Sequence, residues 1–227
     1  PINVNYRYQS DELVYLFDNS DSEVVFFHES YLDQVKQVYK KLPNVKTWIQ
    51  IGGVKDPEID GCFSYEEIIS SNDPMKRIVR DEDNIYMIYT GGTTGMPKGV
   101  MYNHGEFSVA MYGGLKSQGY EVPDMRFIEN IKDLKEIIMN KSKSNNLTRC
   151  LIACPLMHGT GMFLGGFMTH CLGGSIVTIP EIGLNPEKIL TEISSTKANN
   201  LVIVGDAFAK PLLRELDAGR EKAQPYD

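Results

Sequence analysis

Apolar runs of strand character alternate with helix-spaced segments along this 227-residue chain, and that alternation limits the fold more than any other feature. "SDELVYLFDNSD" opens on Ser10, a good helix cap, and puts Leu13, Leu16 and Phe17 on one helical face. "EVVFFH" reads as a strand of the buried type. "YLDQVKQVYKKL" has helix spacing that Pro43 stops, and "VKTWIQI" is a strand that Gly52-Gly53 ends. "SYEEIIS" suits a short helix. "NIYMIYT" is a strand that runs into a glycine-rich stretch, and "HGEFSVAMYGGLK" then reads as a helix. Residues at about 117–148 are polar and charge-rich, a surface excursion with one amphipathic helix around Ile131–Met139. Beyond them "TRCLIACPL", "SIVTIP" and "NLVIVG" are strands, and "GMFLGGFMTHCLGG", "NPEKILTEISST" and "AKPLLRELDAG" are helices. Such an order predicts an α/β fold of layered parallel or mixed sheets with flanking helices.

The stretch "YTGGTTGMPKGV", Tyr89–Val100, carries the chemistry. Glycines after a strand let the backbone approach a ligand, because no Cβ intervenes. Successive N–H groups then converge on an anion, threonine hydroxyls add donors, and Lys98 adds a compact charge suited to phosphate oxygens. The P-loop pattern G-x-x-x-x-G-K-[ST] fails, since the sixth position from Gly92 is Pro97 and Gly99 follows Lys98. The dinucleotide pattern G-x-G-x-x-G fails at Thr94. A plain hairpin turn is the bland alternative, but such turns are short and use only one or two glycines.

The run Gly91-Gly92-Thr93-Thr94-Gly95-Met96-Pro97-Lys98-Gly99 resembles the phosphate-binding signature of the adenylate-forming superfamily, which includes acyl-CoA synthetases, luciferases and peptide-synthetase adenylation domains. "PLMHGTG", Pro155–Gly161, is similar to that family's next motif, with Met157 in an aromatic place. "PINVNYRY" and "VGDAFAKPLL" also resemble family segments, the latter of fatty acyl-CoA synthetases. The resemblance covers essentially the whole chain, as an incomplete, interior part of the large N-terminal domain spanning residues 1–227. It implies ATP, Mg2+ and CoA as reactants and a hydrophobic carboxylic acid as substrate. Gly91, Gly92 and Gly95 would give close backbone approach, Thr93 and Thr94 would donate hydroxyls, and Lys98 would bind terminal phosphates. His158 matches the histidine beside the acyl group; a core histidine is the alternative, and its Pro-Leu and Gly-Thr-Gly surroundings favour the site. Thr90 matches a magnesium-binding position or is a plain strand end. The family's later motifs for magnesium, ribose, hinge and C-terminal lysine are not seen. The expectation is therefore a piece without its C-terminal domain that does not turn over substrate alone. The resemblance also allows a homodimer of the full-length protein.

Other residues read as structural. His104 suits capping of the helix it opens, and His28 and His170 suit structural places. Asp206 either borders the acyl pocket or caps a helix starting near Phe208, the cap being favoured. Cys150 and Cys154 on one strand would stand about 13 Å apart, at roughly 3.3 Å per residue, too far for one zinc. They read as small buried thiols. Between Arg149 and Glu181 there is no Asp, Glu, Lys or Arg, a span long enough to cross a bilayer and containing Gly161-x-x-x-Gly165. Six glycines and Pro155 make a poor spanning helix, so the expectation is no transmembrane segment. The 23 basic and 30 acidic residues, net −7, argue against a nucleic-acid partner. Without a secretion pattern the default setting is cytoplasmic. A non-catalytic ATP-binding module and another adenylate-forming enzyme, aryl-CoA ligase or luciferase-like, are the competing functions.

Overall fold

The computed structural model describes residues 1–91, 95–117, 135–136, 138–140, 143, 147–171, 173–181 and 183–221. Two compact units divide the chain: a first unit of Ile2–Arg80 with Tyr89–Val100, and a second of Asp81–Ile88 with Met101 onward.

The first unit comprises α1 (Ser10–Asn19), β1 (Val24–His28), α2 (Leu32–Val38), β2 (Thr47–Ile51), β3 (Cys62–Ser64) and α3 (Tyr65–Ser71). The three strands form a parallel sheet in the order β1-β2-β3. Gln9 rather than Ser10 caps α1: the Gln9 N–H donates to Glu12 Oε2 at 2.9 Å. Ser10 instead turns its hydroxyl to Gln37 Oε1 at 2.7 Å, tying α1 to α2. Leu13, Leu16 and Phe17 are buried, with Val35 and Val38 from α2 and Val25 and Phe27 from β1. Trp48 fills the centre, edge-on to Phe17 at 6.2 Å and to Phe27 at 6.4 Å. Behind β2, the buried Gln50 amide donates to the carbonyls of Gly52 and Val54, and its oxygen accepts from the Asp56 N–H. Lys36 closes the same loop on Asp56 at 2.7 Å and Glu58 at 2.9 Å.

β1 departs from the buried type expected for it. Its residues alternate, with Val25 and Phe27 inside and Val24 and Phe26 exposed. Phe26, Ile49 and Phe63 share one register row, and the outer two are 58% and 47% exposed. An uninterrupted apolar run fits burial on both faces or on one, so the run alone does not decide.

β4 (Ile85–Thr90) and β5 (Lys98–Asn103) pair as a two-stranded sheet. The second unit continues with α4 (His104–Ser117), β6 (Arg149–Ile152), a π-helical segment (Thr160–Phe167) running into α5 (Met168–Cys171), β7 (Ser175–Val177), α6 (Pro186–Thr196), β8 (Asn200–Val202) and α7 (Gly205–Glu221). Its parallel sheet has the order β7-β6-β8. The central β6 is covered on both faces. Leu151 packs with Ile189, Leu190 and Leu212, and Cys150, Ile152 and Cys154 pack with Ile176, Val202 and Phe208. The π segment lies directly on this strand. A Cβ on Gly165 would stand 2.7 Å from Ile152, and one on Gly161 2.7 Å from the Pro155 carbonyl oxygen. The Gly161-x-x-x-Gly165 spacing thus serves close packing inside the protein. Among the described residues no helix is long and apolar enough to cross a membrane.

Asn185 caps α6 by accepting from the Lys188 N–H at 3.1 Å, with Pro186 in the first turn. α7 begins at Gly205, so Asp206 lies inside its first turn, paired with Lys210 at 2.8 Å, and is not the cap. A carboxylate there still complements the helix dipole. Most of the polar excursion at 117–148, including much of its expected helix at 131–139, lies outside the described residues; Lys135, Glu136 and 138–140 are helical.

Candidate functional site

The glycine-rich connection leaves β4 from a fixed point. Tyr89 is buried, and its hydroxyl donates to Asn19 Oδ1 at 2.7 Å, at the end of α1. Thr90 and Gly91 are exposed. Among the described residues a Cβ on Gly91 would meet nothing within 4 Å, so none of them blocks approach to the backbone there. Gly95 has φ +147°, a conformation that favours glycine. Pro97 is buried and Lys98 exposed. Among the described residues Lys98 has no hydrogen bond or ion pair, so its charge is uncommitted. Gly92, Thr93 and Thr94 lie outside the described residues.

The helix expected from His104 starts there, but a strand that the sequence pattern did not mark comes before it. Lys98–Asn103 forms β5, which pairs with β4, and α4 starts only at His104. The topology is that of the bland strand–turn–strand alternative, with a connection longer than a tight hairpin turn uses. At the start of α4 the cap is Asn103, whose Oδ1 accepts from the Glu106 N–H at 3.2 Å; His104 follows it, exposed, and is not the cap.

The described part of the loop fits a polyphosphate: open backbone at Gly91 and a free cation at Lys98. It does not by itself fit a metal ion. Among the described residues no group of three His, Cys, Asp or Glu side chains could hold one, and Thr90 offers a single hydroxyl.

In the second unit, Pro155–Gly161 forms the turn between β6 and the π segment. The His158 N–H donates to the Pro155 carbonyl at 3.2 Å, and its carbonyl accepts from Met162 at 3.0 Å. His158 is exposed in this chain. A π-helical turn is rare and widens the helix where it occurs. Here the segment presents Phe163 and Phe167 to Tyr86 on β4, Tyr102 on β5 and Phe107 on α4. Phe107 stacks on Tyr86 at 5.6 Å, and Phe163 stands edge-on to Phe107 at 4.9 Å. The Phe163 ring also lies 3.2 Å from where a Cβ on Gly159 would be, so it borders the His158 turn. All five rings are half-buried, yet the Tyr86 hydroxyl is buried with no hydrogen-bond partner among the described residues. Burial, with Tyr102 beside it, holds that phenol above its ordinary range. No sequence motif pointed to this cluster; the only trace was Phe163 and Phe167, four apart on one apolar helix.

The thiols are kept protonated. Burial pushes Cys150, Cys154 and Cys171 up, and Cys62 likewise, which makes them poor nucleophiles. His28 caps the turn after β1 by accepting from the Ser30 N–H at 3.2 Å, a structural role. His170 is exposed on α5, and its carbonyl accepts from the Gly173 N–H.

A family model described as AMP-binding enzyme matches residues 1–226. The chain belongs to the AMP-binding enzyme family. Among its AMP-binding relatives is a medium/long-chain-fatty-acid–CoA/3-oxocholest-4-en-26-oate–CoA ligase of Mycolicibacterium smegmatis, 33% identical over all of this chain and 39% of its own length. A 3-oxocholest-4-en-26-oate–CoA ligase of Rhodococcus rhodochrous is 34% identical, again over 100% of this chain and 39% of the relative. The chain therefore spans about two fifths of the length of these curated relatives. The crystal structure of an anthranilate CoA ligase in complex with anthranoyl-AMP superposes with a TM-score of 0.65 at 17% identity, covering 88% of this chain and 34% of that one. This likeness shows the AMP-binding fold, α/β with parallel sheets and flanking helices.

Proposed function

We propose that this chain is part of the N-terminal domain of an ATP-dependent, AMP-forming acyl-CoA synthetase for a hydrophobic carboxylic acid. The observation that carries the reading is that, among the described residues, nothing crowds Gly91 and nothing pairs with Lys98, in a chain that matches the AMP-binding family over 1–226. In the reaction a carboxylate oxygen attacks the α-phosphorus of ATP, the bond to pyrophosphate breaks, and acyl-adenylate forms. The sulfur of CoA then attacks the acyl carbon, and AMP leaves with the electron pair of the broken C–O bond. Such chemistry depends on positioning and charge stabilisation.

Gly91, Gly92 and Gly95 would bring backbone amides to the β- and γ-phosphates, Thr93 and Thr94 would donate hydroxyls, and Lys98 would stabilise the departing pyrophosphate. Losing one well-placed donor in such a site costs about 2.7–4 kcal/mol of transition-state energy. His158, exposed at its turn, would stand by the acyl group. Mg2+ would neutralise phosphate charge, with the Thr90 hydroxyl as one contributor. The half-buried rings and the π segment favour an apolar acid, in keeping with relatives named for fatty acids and for a steroid acid with a ketone. A cytoplasmic setting and a homodimer of the complete protein belong to the same reading.

The test is competition. A non-hydrolysable acyl-adenylate analogue should displace ATP from the chain, and more strongly as its acyl part lengthens. Displacement independent of the acyl part would favour the rival ATP-binding module. The 227-residue chain alone is expected not to release pyrophosphate from ATP and fatty acid.

A further inference from the structure

We infer that Tyr86 is a specificity-determining residue: its buried hydroxyl donates a hydrogen bond to an oxygen carried on the otherwise apolar body of the acid, so the site prefers oxygenated acids over plain hydrocarbon ones. The inference rests on the acyl-CoA synthetase reading and deepens it.

The ground is an imbalance inside the second unit. Tyr86 is held by rings on several sides: Phe107 stacked at 5.6 Å, Phe163 at 5.9 Å, Phe167 at 5.5 Å and Tyr102 at 6.5 Å. None of these contacts engages its hydroxyl, which is buried without a partner among the described residues. A buried donor left unpaired destabilises the fold, and native proteins keep few of them, so each asks for a reason. Phenylalanine would keep every ring contact and lose the penalty. A donor retained in an apolar surround is what a site needs to recognise one acceptor oxygen, because an analogue lacking the oxygen leaves the donor unpaired.

The position suits such a role. All five rings are half-buried, so the cluster reaches the surface rather than closing into a core. Phe163 packs over Gly159, next to His158, and sits on the wide π segment. A small shift of the Phe163 ring would open the cluster toward the turn that carries the histidine. The hydroxyl stays protonated, since burial raises its pKa, and is therefore a donor at neutral pH. The ligand class is an apolar acid with a ketone or hydroxyl remote from its carboxylate.

The test uses the 227-residue chain, its Tyr86→Phe variant and two probes, 3-oxocholest-4-en-26-oate and the same acid without the ketone, in equilibrium dialysis with thermal unfolding beside it. The wild-type chain should bind the keto acid about tenfold more tightly than the deoxy acid, and Tyr86→Phe should reduce that preference to about one. Without ligand the variant should unfold roughly 2–4 °C higher, because the unpaired donor is gone. If the wild-type chain binds both acids equally, and Phe163→Ala weakens both, the ring cluster is an acyl site and the assignment of Tyr86 is overturned alone. If neither acid binds the wild-type chain, the acyl-site reading falls and the assignment with it.

Discussion

The two three-stranded parallel sheets among the described residues are built to different plans. In the second unit β6 is sandwiched: Leu151 faces α6 and α7, while Cys150 and Ile152 face the opposite layer, and the π segment sits on Ile152 through Gly165. In the first unit the sheet is anchored on one face by Trp48 with Phe17 and Phe27, while Val24, Phe26 and Phe63 on the other are exposed. Both kinds of strand look alike as apolar runs, so burial on two faces is decided by what packs above, not by the strand itself. The candidate residues divide between the plans too. The glycine-rich connection belongs to the first unit, and the histidine turn with its ring cluster to the second.

The largest effects should come from the two centres. Trp48→Ala is expected to cost about 3–5 kcal/mol and Leu151→Ala about 2–5 kcal/mol, since both are essentially inaccessible. Urea titration followed by circular dichroism would read both; a loss near zero for either would show that its sheet is not centred there. Next comes the close approach in the second unit. Gly161→Ala should cost about 1–3 kcal/mol, because the Pro155 carbonyl, a backbone group, stands 2.7 Å from the new Cβ. Gly166→Ala should be near neutral, its nearest atom being a Met162 sulfur at 3.7 Å. Equal losses at the two glycines would break the claim that the π segment rests on the turn and strand.

One group in each unit, Asp56 in the first and Tyr112 in the second, should show itself at opposite ends of the pH scale. Lys36, hydrogen-bonded to Asp56, holds that carboxyl below its usual range. Its stabilisation is present above the unfolded carboxylate range and is lost as pH falls through the folded value, so Asp56→Asn should flatten the acid side of the stability curve. In the second unit burial pushes Tyr112 up from 10.0 to about 12. That contribution is intact below pH 10 and disappears as pH rises through 12, and Tyr112→Phe should make the alkaline decline shallower, the other raised phenols and thiols keeping the rest. Stability measured from pH 2 to 12 checks both signs. The smallest effect is expected at the open face. Phe26→Ser should change the stability of this chain by no more than about 0.5 kcal/mol, whereas Phe27→Ser, one residue on and buried, should cost several times that. A large loss at Phe26 would mean that its face is covered after all.

Much of the fold was legible because local signals agreed with tertiary packing. α1 showed its buried stripe of Leu13, Leu16 and Phe17, α6 its Asn185 cap and Pro186 start, and β2 its end at Gly52-Gly53. β3 was missed because three residues are too few for a period, and its partners are set by β2. β5 was missed because "KGVMYN" starts with residues that the loop motif had claimed, and its pairing with β4 is a contact no local pattern encodes. The loop's composition announced itself by glycine and lysine spacing. The ring cluster did not, since Tyr86, Tyr102, Phe107, Phe163 and Phe167 come from four elements and meet only in the folded unit. An unpaired hydroxyl is likewise invisible until its neighbours are known.

Titration calorimetry of ATP into the chain and into Lys98→Met tests most directly whether the stretch from Thr90 to Lys98 holds the phosphates of ATP. Saturable binding to the wild-type chain and a loss of about tenfold or more in the variant are predicted, as for a charge-assisted contact to phosphate. Equal affinity in the two proteins, or no binding of ATP to either, would contradict it.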